Sequence, residues 1–342
     1  MANPMDKNVF GDPIQHGGNL ARARALFPQA PEPWIDLSTG INPHSYPHSP
    51  IPGNVFARLP ESASLDELKA IAADAYGAPS AMHVAAGPGT QILLPIVASL
   101  IEGRKAAVLS PTYAEHARAT RLAGFDVAET GDIEQLGAAD IAVIVNPNNP
   151  TGRIVATDEL LSLVAIMRQK GGLLIVDEAF IDVSDAESLA DMVDDGGLLV
   201  LRSFGKFYGM AGLRLGFAIA CPDVVQAIEA RLGPWAVSGP ALHVASEALA
   251  DHRWQMEMRQ RLNNDAARLQ DLLQHAGVAV FGGTSLFCLV RDPRAQVLYL
   301  HLAGHGILTR RFDERPDDLR IGLPDSEGWA RLEGALASFG TR

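Results

Sequence analysis

The sequence predicts an α/β protein: a mostly parallel sheet in a large domain, a smaller α+β domain after it and an irregular arm before it. Three observations predict this. Short runs such as Ile141-Ala142-Val143-Ile144-Val145 are apolar throughout, as strands buried on both faces must be. Helical stretches separate those runs, as crossovers between parallel strands require. And 342 residues exceed what one ordinary core accommodates.

The elements follow in order. Residues 1–60 are rich in Pro, Gly, His and Ser and predict an arm without a long element. Leu65, Leu68, Ile71, Ala72 and Ala75 recur at helical spacing up to Tyr76-Gly77. Val84-Ala85-Ala86 reads as a strand leading into a Gly-rich turn, with a helix from Thr90 to Ile101. Residues 106–109, 141–145, 173–176 and 198–201 read as buried strands, and Phe217–Ala220 as a further one of antiparallel sense. The large domain then spans 61–232. The chain breaks near Gly233-Pro234-Trp235, and the small domain, 233–342, opens with helix from about Pro240 to His275. Residues 278–280, 286–290 and 319–323 supply its strands.

Composition excludes several classes of function. A net charge of −12 argues against a nucleic-acid or anionic-membrane surface, though a small site on an acidic protein can be locally basic. Cys221 and Cys288 lie far apart without metal-ligand spacing, so neither a structural disulfide nor a metal site is expected. Met1 to Pro13 lacks the pattern of a signal peptide, and the apolar stretch Ile92 to Ile101 is too short to cross a bilayer. A cytoplasmic protein is expected.

Ligands of parallel α/β sheets sit beyond the carboxyl ends of the strands, so the polar residues there carry the interest. Gly87-Pro88-Gly89-Thr90-Gln91 joins a strand to a helix start, where glycine permits close backbone approach and free N–H groups attract phosphate. Asn146-Pro147-Asn148-Asn149-Pro150-Thr151-Gly152 follows the most apolar strand; on its own it is also an ordinary turn. Asp177 follows 173–176, where a carboxylate needs a cationic partner or serves as a helix cap. Ser203-Phe204-Gly205-Lys206 and then Gly212-Leu213-Arg214-Leu215-Gly216 close the set. A lysine becomes a nucleophile only when burial or a nearby cation lowers its pKa.

These pieces, in this order, resemble the fold-type I, aspartate-aminotransferase-like pyridoxal-phosphate enzymes. The resemblance runs from Leu65 to Gly216, more loosely to Leu323, and implies that family's fold with a mostly parallel seven-stranded sheet. It implies pyridoxal 5′-phosphate as cofactor, bound covalently by Lys206, which also moves protons at the substrate α-carbon. Asp177 would pair with the pyridine nitrogen, keeping the ring an electron sink. Asn149 would bond the ring hydroxyl beside an Asn149–Pro150 bond that is often cis. Tyr113 would stack on the ring, and Gly89, Thr90, Ser203 and Arg214 would hold the cofactor phosphate. Arg320, in Leu-Arg-Ile-Gly, matches the arginine that clamps the substrate carboxylate. A homodimer is implied by the same analogy.

Two positions depart from the aminotransferase pattern. Phe180 stands where a tyrosine often follows the aspartate, and Leu59-Pro60 where many relatives carry Tyr-Pro. The arm narrows the reading further. His16-Gly17-Gly18-Asn19, Asp36 to Pro43, Arg58-Leu59-Pro60, Pro111 to His116 and Ile307 to Arg310 resemble the threonine-phosphate decarboxylases of cobalamin biosynthesis. That resemblance implies loss of carbon dioxide from L-threonine O-3-phosphate, a phosphorylated amino acid anchored by candidates His16, Gly17, Asn42, Arg310 and Arg320. For His16 a bond to its own turn backbone is the competing reading, and Arg311 and Arg315 read as surface charges. A histidinol-phosphate aminotransferase is the nearest alternative. A DNA-binding regulator on this fold would need an extra basic domain, and an inactive cofactor-binding protein would have no use for Lys206, Asp177 and Arg214 together.

Overall fold

In the computed structural model the described residues are Ile14 and 16–340; the segment Met1 to Pro13 lies outside them. The strands are β1 (Ile35–Asp36), β2 (Val84–Gly87), β3 (Lys105–Leu109), β4 (Asp126–Thr130), β5 (Ile141–Val145), β6 (Leu173–Asp177), β7 (Leu198–Ser203), β8 (Gly216–Ala220), β9 (Val280–Thr284), β10 (Phe287–Arg291), β11 (Ile307–Leu308), β12 (Arg310–Phe312) and β13 (Arg315–Gly322). Seven of them form the main sheet in the order β2-β8-β7-β6-β5-β3-β4. β8 alone runs against its neighbours, pairing antiparallel with β2 and β7, as its sequence position suggested. The central strands β5 and β6 are buried at every residue, because helices cover both faces of the sheet. Two hydrophobic clusters, one on each side of the sheet, divide the strand residues alternately between them.

The structure differs from the sequence reading in a few elements. The edge strand β4 was not expected: its Asp-Val-Ala-Glu-Thr is half exposed and lacks an apolar run. The helix after the glycine turn ends at Ala98, short of Ile101. The long C-terminal helical stretch is two helices, Gly239–Ala250 and His252–His275, parted at Asp251, whose side chain accepts from Trp254 N and caps the second. In the small sheet, β12-β13-β10-β9, strand β12 has only three residues and gives no readable alternation. The arm carries a short helix, Leu20–Leu26, and β1, which pairs in parallel with β11. A two-residue strand in a polar segment has no sequence signature; its stability comes from β11. Among the described residues no helix is long and apolar enough to cross a membrane, and no group of side chains is arranged to hold a metal ion.

Candidate active site

The carboxyl ends of β5, β6 and β7, the glycine turn after β2, the arm and β12–β13 enclose a cavity of about 320 Å³. Lys206 lies inside it. Its helix, Phe204–Phe207, begins directly after β7, so the strand end fixes where the lysine emerges. The ammonium is part-buried and donates to the Thr39 carbonyl at 2.9 Å. Burial, then the Arg320 charge, brings its pKa down to about 7, against the pull of Asp177. A substantial neutral fraction therefore exists near neutral pH, which nucleophilic attack on a carbonyl requires. Beside it Phe180 packs edge-on against Phe287, with the Lys206 nitrogen 5.5 Å from its ring.

Asp177 ends β6. Its Oδ1 accepts from Ala179 N at 3.0 Å, and its Oδ2 accepts from His116 Nε2 at 2.8 Å. His116 is buried and is the partner that a carboxylate at a strand end needs, but nothing in the sequence assigned it this task. A histidine sixty-one residues earlier in the chain gives no local signal. Of the three asparagines after β5, Asn146 and Asn148 are spent on the loop: Asn146 bonds Val155, and Asn148 bonds Thr112, Pro111 and Thr151. Asn149 faces the cavity and accepts from Arg320, and the Asn149–Pro150 bond is cis.

The glycine turn is built for an anion. Gly89, with φ +87°, precedes the helix Thr90–Ala98, whose first N–H groups have no side-chain cap. A Cβ on Gly89 would stand 2.6 Å from Arg214 Nη2, and one on Gly216 would stand 2.6 Å from Thr90 N. Arg214, itself left-handed at φ 53°, thus closes on the turn, and Ser203 and Thr90 line the same end of the cavity. Tyr113 forms the adjacent wall and donates to Gln91 Oε1 at 3.0 Å; burial, then Glu115, pushes its phenol up to about 12.

The five candidates for the substrate are not equivalent in place. Arg310 and Arg320 are opposite one another across β12 and β13, and both line the cavity. Arg320 is fully buried, donates to Asn149 and to Ser38 O, and leaves its Nε without a protein partner. Burial and Arg310 hold its pKa down at about 10. His16 and Gly17 also line the cavity, and His16 donates to Glu115 Oε1 at 2.8 Å rather than to its own turn backbone. Gly17 is pressed on Ser38, whose carbonyl oxygen a Cβ would meet at 2.4 Å. Asn42 stands apart. It is not on the cavity wall; its amide donates to Phe207 O and its oxygen accepts from His44 N, tying the arm to the lysine helix.

A buried near-neutral lysine, a carboxylate with an imidazole behind it and a glycine–arginine anion cradle define an enzyme site for a phosphorylated carbonyl cofactor. The sequence profile described as "Aminotransferase class I and II" matches residues 34–332, and the chain belongs to that family. It is 45% identical to a threonine-phosphate decarboxylase of Pseudomonas aeruginosa, over 95% of this chain and 98% of that one. It is 42% identical to a threonine-phosphate decarboxylase of Sinorhizobium sp, over 95% and 98%. In fold it resembles the histidinol-phosphate aminotransferase of Sinorhizobium meliloti solved in complex with pyridoxal-5′-phosphate: TM-score 0.83, 20% identity, 99% of this chain and 98% of that one. The cofactor is pyridoxal 5′-phosphate. The residues present fit it: the Arg214 guanidinium packs against Gly89 so closely that a Cβ there would clash, which puts a cation beside the uncapped N–H groups at the helix start.

Proposed function

We propose that the chain decarboxylates L-threonine O-3-phosphate to (R)-1-aminopropan-2-yl phosphate, the unit that enters the nucleotide loop of cobalamin. The observation that carries this reading is the pair Arg310 and Arg320, facing each other across two strands above Lys206. The substrate brings a carboxylate and a phosphate, and two desolvated guanidinium groups suit two anions better than one. When bound, pyridoxal phosphate supplies an electron sink for the pair left by the broken C–C bond. Asp177, backed by His116, would keep the ring nitrogen protonated, Asn149 would hold the ring oxygen, and Gly89, Thr90, Ser203 and Arg214 would hold the cofactor phosphate.

Holding the substrate by its phosphate would let the chain orient the carboxylate, rather than the α-hydrogen, for cleavage. Arg310 and Gly17 sit where a phosphate could be gripped, with His16 at the rim; Arg320 sits deeper, toward Asn149. Lys206 Nζ, at the cavity wall, would be the group that returns a proton to the α-carbon once carbon dioxide has left.

The apolar side chains of Phe56, Leu59 and Trp235, all more than half exposed, suit a face covered by a second copy, and we read the enzyme as a cytoplasmic homodimer. The test of function uses the pure holoenzyme with L-threonine O-3-phosphate, and separately with histidinol phosphate and 2-oxoglutarate. Carbon dioxide and aminopropanol phosphate from the first support the reading. Glutamate from the second, with no carbon dioxide from the first, replaces it with the aminotransferase.

A further inference from the structure

The helix Glu115–Leu122 begins with two buried polar residues that face different ways. His116 serves Asp177. Glu115 serves nothing in the chemistry described above, yet its carboxylate is only 4% exposed and is fully engaged. Oε1 accepts from His16 Nε2 at 2.8 Å, Oε2 accepts from Gln91 Nε2 at 2.9 Å, and Arg118 Nη1 lies 3.4 Å from both. Gln91 in turn accepts the Tyr113 hydroxyl proton at 3.0 Å.

We propose that Glu115 is a positioning residue that docks the arm through His16 and fixes the hydrogen-bond polarity of Tyr113 through Gln91. The second half follows from donor and acceptor inventory. An ionised carboxylate only accepts, so the Gln91 NH₂ must face Glu115 and the Gln91 oxygen must face Tyr113. Tyr113 then has one role left: it donates to Gln91 and presents only lone pairs to the cavity. Remove the carboxylate and the amide can turn over, whereupon the phenol can point its proton at whatever occupies the site. The first half follows from geometry. His16 is half exposed on a segment whose glycines are pressed against Ser38, and Glu115 is its hydrogen-bonding anchor on the large domain.

This deepens the proposed decarboxylase reading and rests on it for the choice of substrate. It makes a pattern of effects that a merely structural carboxylate would not. His16→Ala should release the arm alone: amide exchange of residues 16–20 rises and KM for L-threonine O-3-phosphate increases about tenfold, with kcat little changed. Gln91→Leu should free Tyr113 alone: kcat falls about tenfold and the pH midpoint of the bound cofactor's visible absorbance moves, with arm exchange unchanged. Glu115→Gln, which keeps shape and removes charge, should do both. Adding His16→Ala to it should raise KM no further, because the two act through one contact.

Arm exchange and both kinetic constants within about twofold of the parent in Glu115→Gln would overturn the proposal, as would multiplicative KM effects in the double variant. Should Glu115→Gln fail to fold by circular dichroism, the two outer variants decide alone, and the same KM-to-kcat pattern in both would sink the idea. Arm exchange and the absorbance midpoint are read without substrate. They judge Glu115 even if the parent enzyme proves not to decarboxylate.

Discussion

Lys206 is kept near neutrality by two opposed influences, loss of water and the neighbouring Arg320 on one side, Asp177 on the other. A depressed lysine pKa has a definite sign in folding. Below about pH 7 the ammonium is present in both folded and unfolded chains, and the folded state bears the full cost of burying it. Between about 7 and the ordinary lysine value of 10.5 the unfolded chain still binds the proton that the folded chain has lost, so stability rises with pH across that window. The cofactor-free enzyme should therefore melt higher at pH 9 than at pH 7 by an increment that Lys206→Met abolishes, read by differential scanning calorimetry. The same variant should retain no cofactor after borohydride reduction and denaturation, whereas the parent should carry it on the Lys206 peptide by mass spectrometry. Persistence of a covalent adduct in Lys206→Met would place the attachment elsewhere.

At the level of elements, each strand end delivers one polar residue, and the short connections after it decide whether that residue reaches the cavity. The glycine turn shows how narrow the tolerance is. Gly89→Ala must accommodate a left-handed residue and a contact at 2.6 Å with Arg214, so it should weaken cofactor binding at least about tenfold by absorbance titration while leaving the fold intact by circular dichroism. This much was legible in the sequence, because apolar strands followed by Gly, Asn-Pro, Asp and Ser-x-x-Lys are local patterns. The illegible parts are those decided by distant partners. β4 pairs through its backbone while half its side chains face solvent, so it lacks the apolar run that marks its neighbours. His116 acquires meaning only from Asp177, sixty-one residues away, and Glu115 from His16, ninety-nine away, and Gln91, twenty-four away. Asn42, a ligand candidate from the sequence, straps the arm to residue 207, a contact 165 residues distant.

For the whole molecule, the exposed Phe56, Leu59 and Trp235 bear on assembly: Trp235→Glu with Leu59→Glu should shift the mass measured by light scattering from dimer to monomer, and an unchanged mass would put the interface elsewhere. The opposed guanidinium groups of β12 and β13 have a wider consequence. Like charges directly across two strands repel, and the shared burial sharpens the repulsion. Glu314 and Asp313 beside Arg310, and Asp36 beside Arg320, offset part of that repulsion, and a bound anion offsets more, so binding is drawn partly from relief rather than from new attraction. Arg310→Gln should on this account melt no lower than the parent without ligand, and lose most of the rise in melting temperature that millimolar L-threonine O-3-phosphate gives the parent. Evolution has, at this one place, left a fold uncomfortable with its own company, and the discomfort is what makes it hospitable to a doubly anionic guest.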